Sequence, residues 1–338
     1  MTGAFAGTMK RLALTGQGSR RLCQTKIAHL ISLAQKMDSG AAKTCLVTGA
    51  TGFVGRPTVK ELLSKGWRVI SISHSSPSPI QHENLTHITM DLHNTDDVAG
   101  LFSDYRPSHL LHLAWEATPG KFWHSTNNFT WVSTSAHLLD QFVANGREKA
   151  VLAGSCAEYK WENETLYEDV SPVDGDTYYA ASKLAFKSLA GVIAKDIDLV
   201  WARIFFPYGP EEDSSKLISY IFREISANRQ PSIQTPDRAV DFIHVNDVAL
   251  AFEKLLSASE NGTVNICSGI SLLPHEVAIE CARLLGRTEL LGDLLTIVAR
   301  TQTDVSICGN RKKLSVAMNG TKPVSLATGL RTYLSLDD

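Results

Sequence analysis

No apolar run in this chain approaches the ~18 residues that a membrane-crossing helix needs, so the helical membrane class is excluded and a soluble protein is expected. Charge of one sign is also missing. Lys and Arg number 33 against 35 Asp and Glu, a net charge of −2, which leaves neither a basic footprint for nucleic acid nor an acidic tail. Six cysteines, Cys23, Cys45, Cys156, Cys267, Cys281 and Cys308, show no C-x-x-C and no His/Cys ligand spacing. That absence excludes a structural zinc site and leaves reduced cytoplasmic thiols as the reading, with no metal expected. No internal repeat stands out. With 338 residues, 43% of them hydrophobic, the chain can bury a sizeable core and form two lobes.

Residues 1–42 differ from the rest. They carry Lys10, Arg11, Arg20, Arg21, Lys26 and Lys36 with no acid before Asp38. A transit peptide has this character. Met37, six residues before the first strand, offers a competing start, and the extension is expected to be disordered or outside the fold. From 43 onward strand and helix patterns alternate, which predicts a doubly wound parallel sheet. Strands are expected near 43–48, 67–73, 85–90, 108–113, 149–154 and 198–204. Past 205 the alternation fails and Gly/Pro-rich pieces separate shorter elements. The expected division is therefore a dinucleotide-binding domain over 43–204 plus about 241–260, and a smaller interleaved substrate lobe over about 205–240 and 261–338.

Two motifs carry chemistry. The first is Gly49-Ala-Thr-Gly52-Phe53-Val54-Gly55, placed between a β-branched run and a helical stretch. A side chain at the first glycine would block the turn, at the second would hold a pyrophosphate away, and at the third would push helix from sheet. The second motif is Tyr179-Ala-Ala-Ser-Lys183, one helical turn that puts phenol and ammonium on one face. A phenol titrates near ~10, so an adjacent cation is the simplest way to bring it into proton transfer.

Together these motifs resemble the extended branch of the short-chain dehydrogenase/reductase superfamily, the NAD-dependent epimerase/dehydratase family that acts on nucleotide sugars. The resemblance runs from about Thr44 to Thr332. Met90-Asp91-Leu92 is similar to the family's partner for the adenine ring, and His112-Leu113-Ala114-Trp115 to the run that lies along the cofactor. Gly154-Ser155-Cys156-Ala157-Glu158-Tyr159 resembles the segment bearing the catalytic hydroxyl, which falls on Ser155, 24 residues before Tyr179. Arg203-Ile-Phe205-Phe206-Pro-Tyr-Gly-Pro and Asp241-Phe-Ile-His-Val-Asn-Asp-Val-Ala complete the ordered matches.

The resemblance implies that Tyr179 is the acid/base, that Lys183 lowers its pKa and holds the nicotinamide ribose, and that Ser155 hydrogen-bonds the reacting oxygen. It assigns further cofactor contacts to the glycine turn with Phe53 and Val54, to Asp91, Leu92, Leu113 and Ala114, and to Phe205. The family marks NAD with an acid at the end of the second strand, where this chain has His74-Ser-Ser-Pro. NADP is therefore favoured slightly over NAD, with Arg56 and His74 available to a 2′-phosphate. Sugar dehydratases of the family carry adjacent carboxylates after the catalytic hydroxyl, where Cys156 and Ala157 stand here. Dehydration is thus disfavoured. Cys156 reads as packing, and Glu158, where the family often has Val, as a rim or salt-bridged residue. What remains suits a 4-keto reductase, with a 4-epimerase holding NAD as the alternative and a non-catalytic NAD(P)-binding regulator as the second.

Substrate contacts are expected from Trp115, Lys121, Asn128, Phe206 and Arg238. Two of these positions depart from the family: Phe206 replaces its substrate-binding Asn, and Val240 stands where its diphosphate-gripping Arg would be, with Arg238 two residues earlier. A homodimer through helices at 94–104 and 127–146 is implied by the resemblance.

Overall fold

Short runs of β-branched and aliphatic residues become the strands β1 (Thr44–Thr48), β2 (Arg68–Ser73), β3 (Leu85–Thr89), β4 (His109–His112), β5 (Lys149–Ser155) and β7 (Asp198–Ile204) in the computed structural model. It describes residues 43–162, 164–292, 294, 296 and 305–334, so the expectations for 1–42 lie outside the described residues. With β10 (Gly262–Ile266) these strands form one seven-stranded sheet, ordered β10-β7-β5-β4-β1-β2-β3 and parallel at every pairing. Alternate residues feed opposite faces. Cys45 and Val47 of β1 join one buried cluster and Leu46 the other, and β5 and β7 divide their side chains the same way. Both faces are covered, which is why these strands read as continuous apolar runs rather than alternating ones.

Helices α1 (Gly55–Ser64), α2 (Thr95–Tyr105), α3 (Asn127–Ala144), α4 (Tyr178–Ile193) and α6 (Val245–Ser257) supply the covering layers. Val59, Leu62 and Leu63 of α1 meet Val248, Phe252 and Leu255 of α6 on one face. Phe102 of α2, Phe142 of α3 and Phe186 of α4 fill the other. Phe142 is fully buried, and its truncation to Ala would cost about 3–5 kcal/mol.

A smaller sheet holds β11 (Ser271–Leu272), β9 (Arg238–His244), β12 (Val305–Gly309) and β6 (Glu164–Leu166), with β8 (Phe206–Tyr208) paired to β9. Ile218, Ile221 and Ile225 line one face of α5 (Leu217–Ser226) at helical spacing. They pack on Val277, Ala278 and Cys281 of α7 (Pro274–Leu284) in this lobe's own core. The expected return to the main sheet at 241–260 is displaced. The run 238–244 joins the smaller sheet, while α6 within that stretch packs on the main one and the chain re-enters the main sheet at β10. A buried apolar strand carries no mark of which sheet it will join.

The strand order reverses between β1 and β4, so a crevice opens beyond their C-terminal ends. Ligands of open parallel sheets bind at such a point.

Candidate active site

The crevice begins at the glycine turn. Gly49 has φ of 65°, and a Cβ there would lie 2.9 Å from the Ala114 backbone nitrogen. A Cβ on Gly55 would run into the Gly49 carbonyl and the Ala50 backbone. Gly52 differs from both, since its Cβ would meet only Gly49 O, at 3.3 Å, and otherwise face open space. No side chain caps the start of α1. An anion can approach the helix there.

Behind this turn Thr48, His112 and Ser135 form a directional chain. Thr48 Oγ1 accepts the N–H groups of Leu113 and Ala114, each at 3.2 Å, so its own proton goes to His112 Nδ1 at 2.7 Å. His112 then carries hydrogen on Nε2 and donates to Ser135 Oγ at 2.8 Å. Burial holds this imidazole neutral, pushing its pKa down to about 3, and the Lys183 charge acts in the same direction. The 113–115 run is thereby fixed along the crevice.

Trp115 ends that run and links it to the second motif. Lys183 Nζ sits 3.8 Å over the Trp115 ring and donates to Ala153 O at 2.8 Å. Lys183 is on the buried face of α4 with Ala180, Phe186 and Ala190, a helix begun by Thr177, whose hydroxyl accepts from Ala180 N. Desolvation brings the ammonium down to about 7, while the negative charge of Glu158 opposes the fall. Tyr179 lies on the same face, with Lys183 Nζ 5.9 Å from its ring centroid. Burial raises its phenol well above the ordinary value. The Ser155 hydroxyl pulls it down, and Glu158 pushes it further up. The Lys183 ammonium is itself turned to Ala153 O and the Trp115 ring.

Ser155 ends β5 and opens a one-turn 3₁₀ helix, its hydroxyl accepting from Ala157 N at 3.2 Å. Glu158 is fully buried beneath it rather than at a rim, salt-bridged to Arg203 Nε at 2.8 Å. Cys156 packs in the smaller lobe's core, and burial raises its thiol far beyond reach.

Beside Tyr179 opens a cleft of about 600 Å³. Phe206, Arg238 and Trp123 line it, joined by Trp161, Asp174 and Asp176, which the sequence did not single out as contacts. The Arg238 guanidinium lies 5.7 Å from the Trp161 ring centroid, and Phe122 and Trp123 stand edge-on to Tyr179 at 4.9 and 5.9 Å. Trp161 and the two acids fall in an irregular stretch with no period. A tryptophan two residues after the Ser155 turn's Tyr159 was the one available signal.

Other expected contacts fall elsewhere. Asn128 does not line the cleft: it is fully buried, accepting from Trp115 Nε1 at 2.8 Å and donating to Phe122 O and Ser125 O at 2.7 and 2.8 Å. These bonds use its amide to hold the 115–128 loop. Trp115 is stacked on Trp131 and Phe186. Lys121 is exposed and does not join the cleft lining. The Phe205 side chain, 2% exposed, packs in the smaller core and not in the crevice, and Leu92 at 6% packs in the main one. Phe53 and Val54 are half-buried in the turn itself. Arg56 is ion-paired with Glu211, and His74 Nε2 stands 3.9 Å from Asp91 Oδ2. Among the described residues no group of His, Cys, Asp and Glu could hold a metal ion.

Comparison with known proteins agrees with this geometry. The model of the NAD dependent epimerase/dehydratase family matches residues 45–267. The chain is 24% identical over 237 residues to a dTDP-6-deoxy-L-talose 4-dehydrogenase (NAD(+)) of Aggregatibacter actinomycetemcomitans, covering 66% of this chain and 84% of that protein. It is 27% identical over 271 residues to a UDP-glucose 4-epimerase of Neisseria meningitidis serogroup C, covering 67% and 78%. In fold it is similar to the UDP-glucose 4-epimerase of Thermotoga maritima, solved with UDP-glucose, at a TM-score of 0.72 and 18% identity over 87% of this chain and 99% of that one. The glycine turn, the switch point and the family match together establish that the chain belongs to the NAD-dependent epimerase/dehydratase family of extended short-chain dehydrogenases/reductases.

Proposed function

We propose that this protein is an NAD-dependent oxidoreductase that reduces a 4-keto group on a nucleotide-activated sugar. The observation that carries the reading is one unbroken line of contacts. Gly49 abuts Ala114, Trp115 carries Lys183, Lys183 shares a helical face with Tyr179, and Tyr179 interacts with Ser155. Open space at Gly52 and the uncapped start of α1 suit a pyrophosphate. When bound, the nicotinamide supplies hydride to the carbonyl carbon. As the carbonyl oxygen gains charge, Ser155 donates a hydrogen bond to it and Tyr179 transfers its phenolic proton. The ammonium of Lys183 steadies the phenolate left behind.

Two features favour reduction. Burial and the Glu158 charge both keep Tyr179 protonated, the form a proton donor needs. The talose 4-dehydrogenase relative supports the 4-position, and the epimerase relatives support a second reading in which the same trio oxidises and then reduces C4. NAD is preferred to NADP. Both cations expected at a 2′-phosphate already face carboxylates, Arg56 with Glu211 and His74 with Asp91.

A homodimer through α3 and α4 fits the exposed apolar residues Phe129, Tyr178, Leu189 and Val192, whereas the apolar residues of α2 are turned into the core. Free thiols at Cys45, Cys156, Cys267, Cys281 and Cys308 suit a reducing cytoplasm, and among the described residues no helix is long and apolar enough to cross a membrane.

The test is absorbance at 340 nm with a panel of nucleotide sugars and each cofactor. Net NADH oxidation by a keto-sugar nucleotide is expected. Isomer exchange without cofactor turnover would mean an epimerase. Tight dinucleotide binding with no turnover, and no effect of Tyr179→Phe, would leave a non-catalytic regulator.

A further inference from the structure

A buried charge lies directly beneath the proton-transfer trio. Glu158 is 0% exposed and Arg203 1% exposed. Their pairing does not exhaust the carboxylate. Oε1 accepts the Ser155 backbone N–H at 2.7 Å, Oε2 accepts Arg203 Nε at 2.8 Å, and Trp201 Nε1 lies 3.1 and 2.9 Å from the two oxygens. Position 154 has to be glycine for this to fit, since a Cβ there would lie 2.7 Å from Glu158 Oε1 and run into the Trp201 indole. Three donors from β5 and β7 therefore hold one anion in place.

We propose that Glu158 is a positioning residue for the trio, fixing the Ser155 backbone and supplying the buried negative charge that faces Lys183. The inference rests on the catalytic reading given above. It separates Glu158 from a simple packing pair by direction. Interacting with it from α4 are Tyr179, Lys183 and Lys187, from β7 Arg203, and from the 3₁₀ turn Cys156. From the following segment, Glu168 O receives Arg203 Nη1, and Asp174 N donates to Glu158 O. The Glu158 charge acts on Lys183 against its desolvation. In a water-poor site that charge favours the ammonium, the form that supports a phenolate on Tyr179.

The experiment follows the ionisation of Lys183 by ¹³Cε-lysine NMR, with Lys183→Met assigning the resonance, in the full chain saturated with NAD. Glu158→Gln keeps the shape and an oxygen for the Ser155 N–H but removes the charge. Its midpoint is expected to fall by roughly one pH unit. The alkaline limb of turnover should move down with it, because the ammonium is lost at lower pH. The value of kcat should drop about tenfold, with KM for the sugar within about twofold. Glu158→Asp, which restores the charge, should bring the midpoint back most of the way. Should Glu158→Gln not fold, Glu158→Val/Arg203→Met replaces the pair with apolar groups, a change that buried pairs tolerate. The same fall is expected there. An unchanged midpoint in a folded variant overturns the proposal even if wild-type turnover is present. Absence of turnover on every sugar nucleotide would refute the catalytic reading alone, leaving the lysine titration to decide this one.

Discussion

Alanine at Gly52 should separate nucleotide binding from folding, and alanine at Gly55 should not. The Gly52 Cβ would lie 3.3 Å from Gly49 O and touch nothing else, so the turn needs to give only a few tenths of an ångström. That strain is offset by the roughly 0.4–1 kcal/mol that replacing glycine removes from unfolded-chain entropy, and net stability should stay within about 1 kcal/mol of wild type. The methyl does occupy the space where a pyrophosphate would approach. Losing one or two charge-assisted backbone contacts costs about 2–3 kcal/mol, which corresponds to a rise of about 30- to 150-fold in Kd for NADH. At Gly55 the collisions are with the Gly49 carbonyl and with Ala50 C and Cα at 2.9 Å. All are backbone atoms, so no side chain can yield, and a loss of about 3 kcal/mol or more is expected along with binding. Urea melts give the stability arm, and titration calorimetry with NADH gives the affinity arm. NADH affinity within about threefold of wild type for Gly52→Ala would refute the placement of the phosphate. An undisturbed melt for Gly55→Ala would refute the packing argument.

Further expectations concern the trio and the cleft. Tyr179→Phe should lower kcat by about 10²–10⁴ while leaving NADH affinity unchanged; stopped-flow at 340 nm and calorimetry separate the two. Lys183 has a folded pKa near 7 against 10.5 for a free lysine, so the native state binds fewer protons between those values and the lysine's contribution to stability rises with pH across that window. Lys183→Met should accordingly stabilise the fold by about 2–3 kcal/mol at pH 6 while abolishing turnover, and a destabilised variant at that pH would contradict the assigned burial cost. Asn128→Ala leaves Trp115 Nε1 and two loop carbonyls without their partner and should cost about 1–3 kcal/mol in a denaturant melt. Arg238→Ala should raise KM for the sugar nucleotide about tenfold at unchanged kcat and NADH affinity, and an equal loss in kcat would move Arg238 from binding into the chemistry.

The parts legible in the sequence share a local signal. Buried parallel strands announce themselves by β-branched runs, the turn by glycine spacing, and Tyr179 with Lys183 by one helical period. Each signal sits within a few residues. The parts missed depend on distant segments meeting: Arg56 finds Glu211 far along the chain, and Trp161 reaches the cleft from an irregular stretch. The seat of the Lys183 ammonium on Trp115 and Ala153 O was also illegible, because helical spacing gives proximity but not the direction of the ammonium. Glu158 could be read as salt-bridged, but its complete burial could not.

The seventh strand of the main sheet has a consequence for how this chain can be divided. β10 pairs with β7 from Gly262 to Ile266, although the chain has passed through β8 and β9 of the smaller sheet in between. A fragment ending at residue 204 would keep the glycine turn and the trio yet expose the whole length of β7 as an open edge. Such an edge invites pairing with a second copy. The two lobes are therefore separable as descriptions but not as polypeptides, and the smaller one doubles as the route by which the larger one closes its own border.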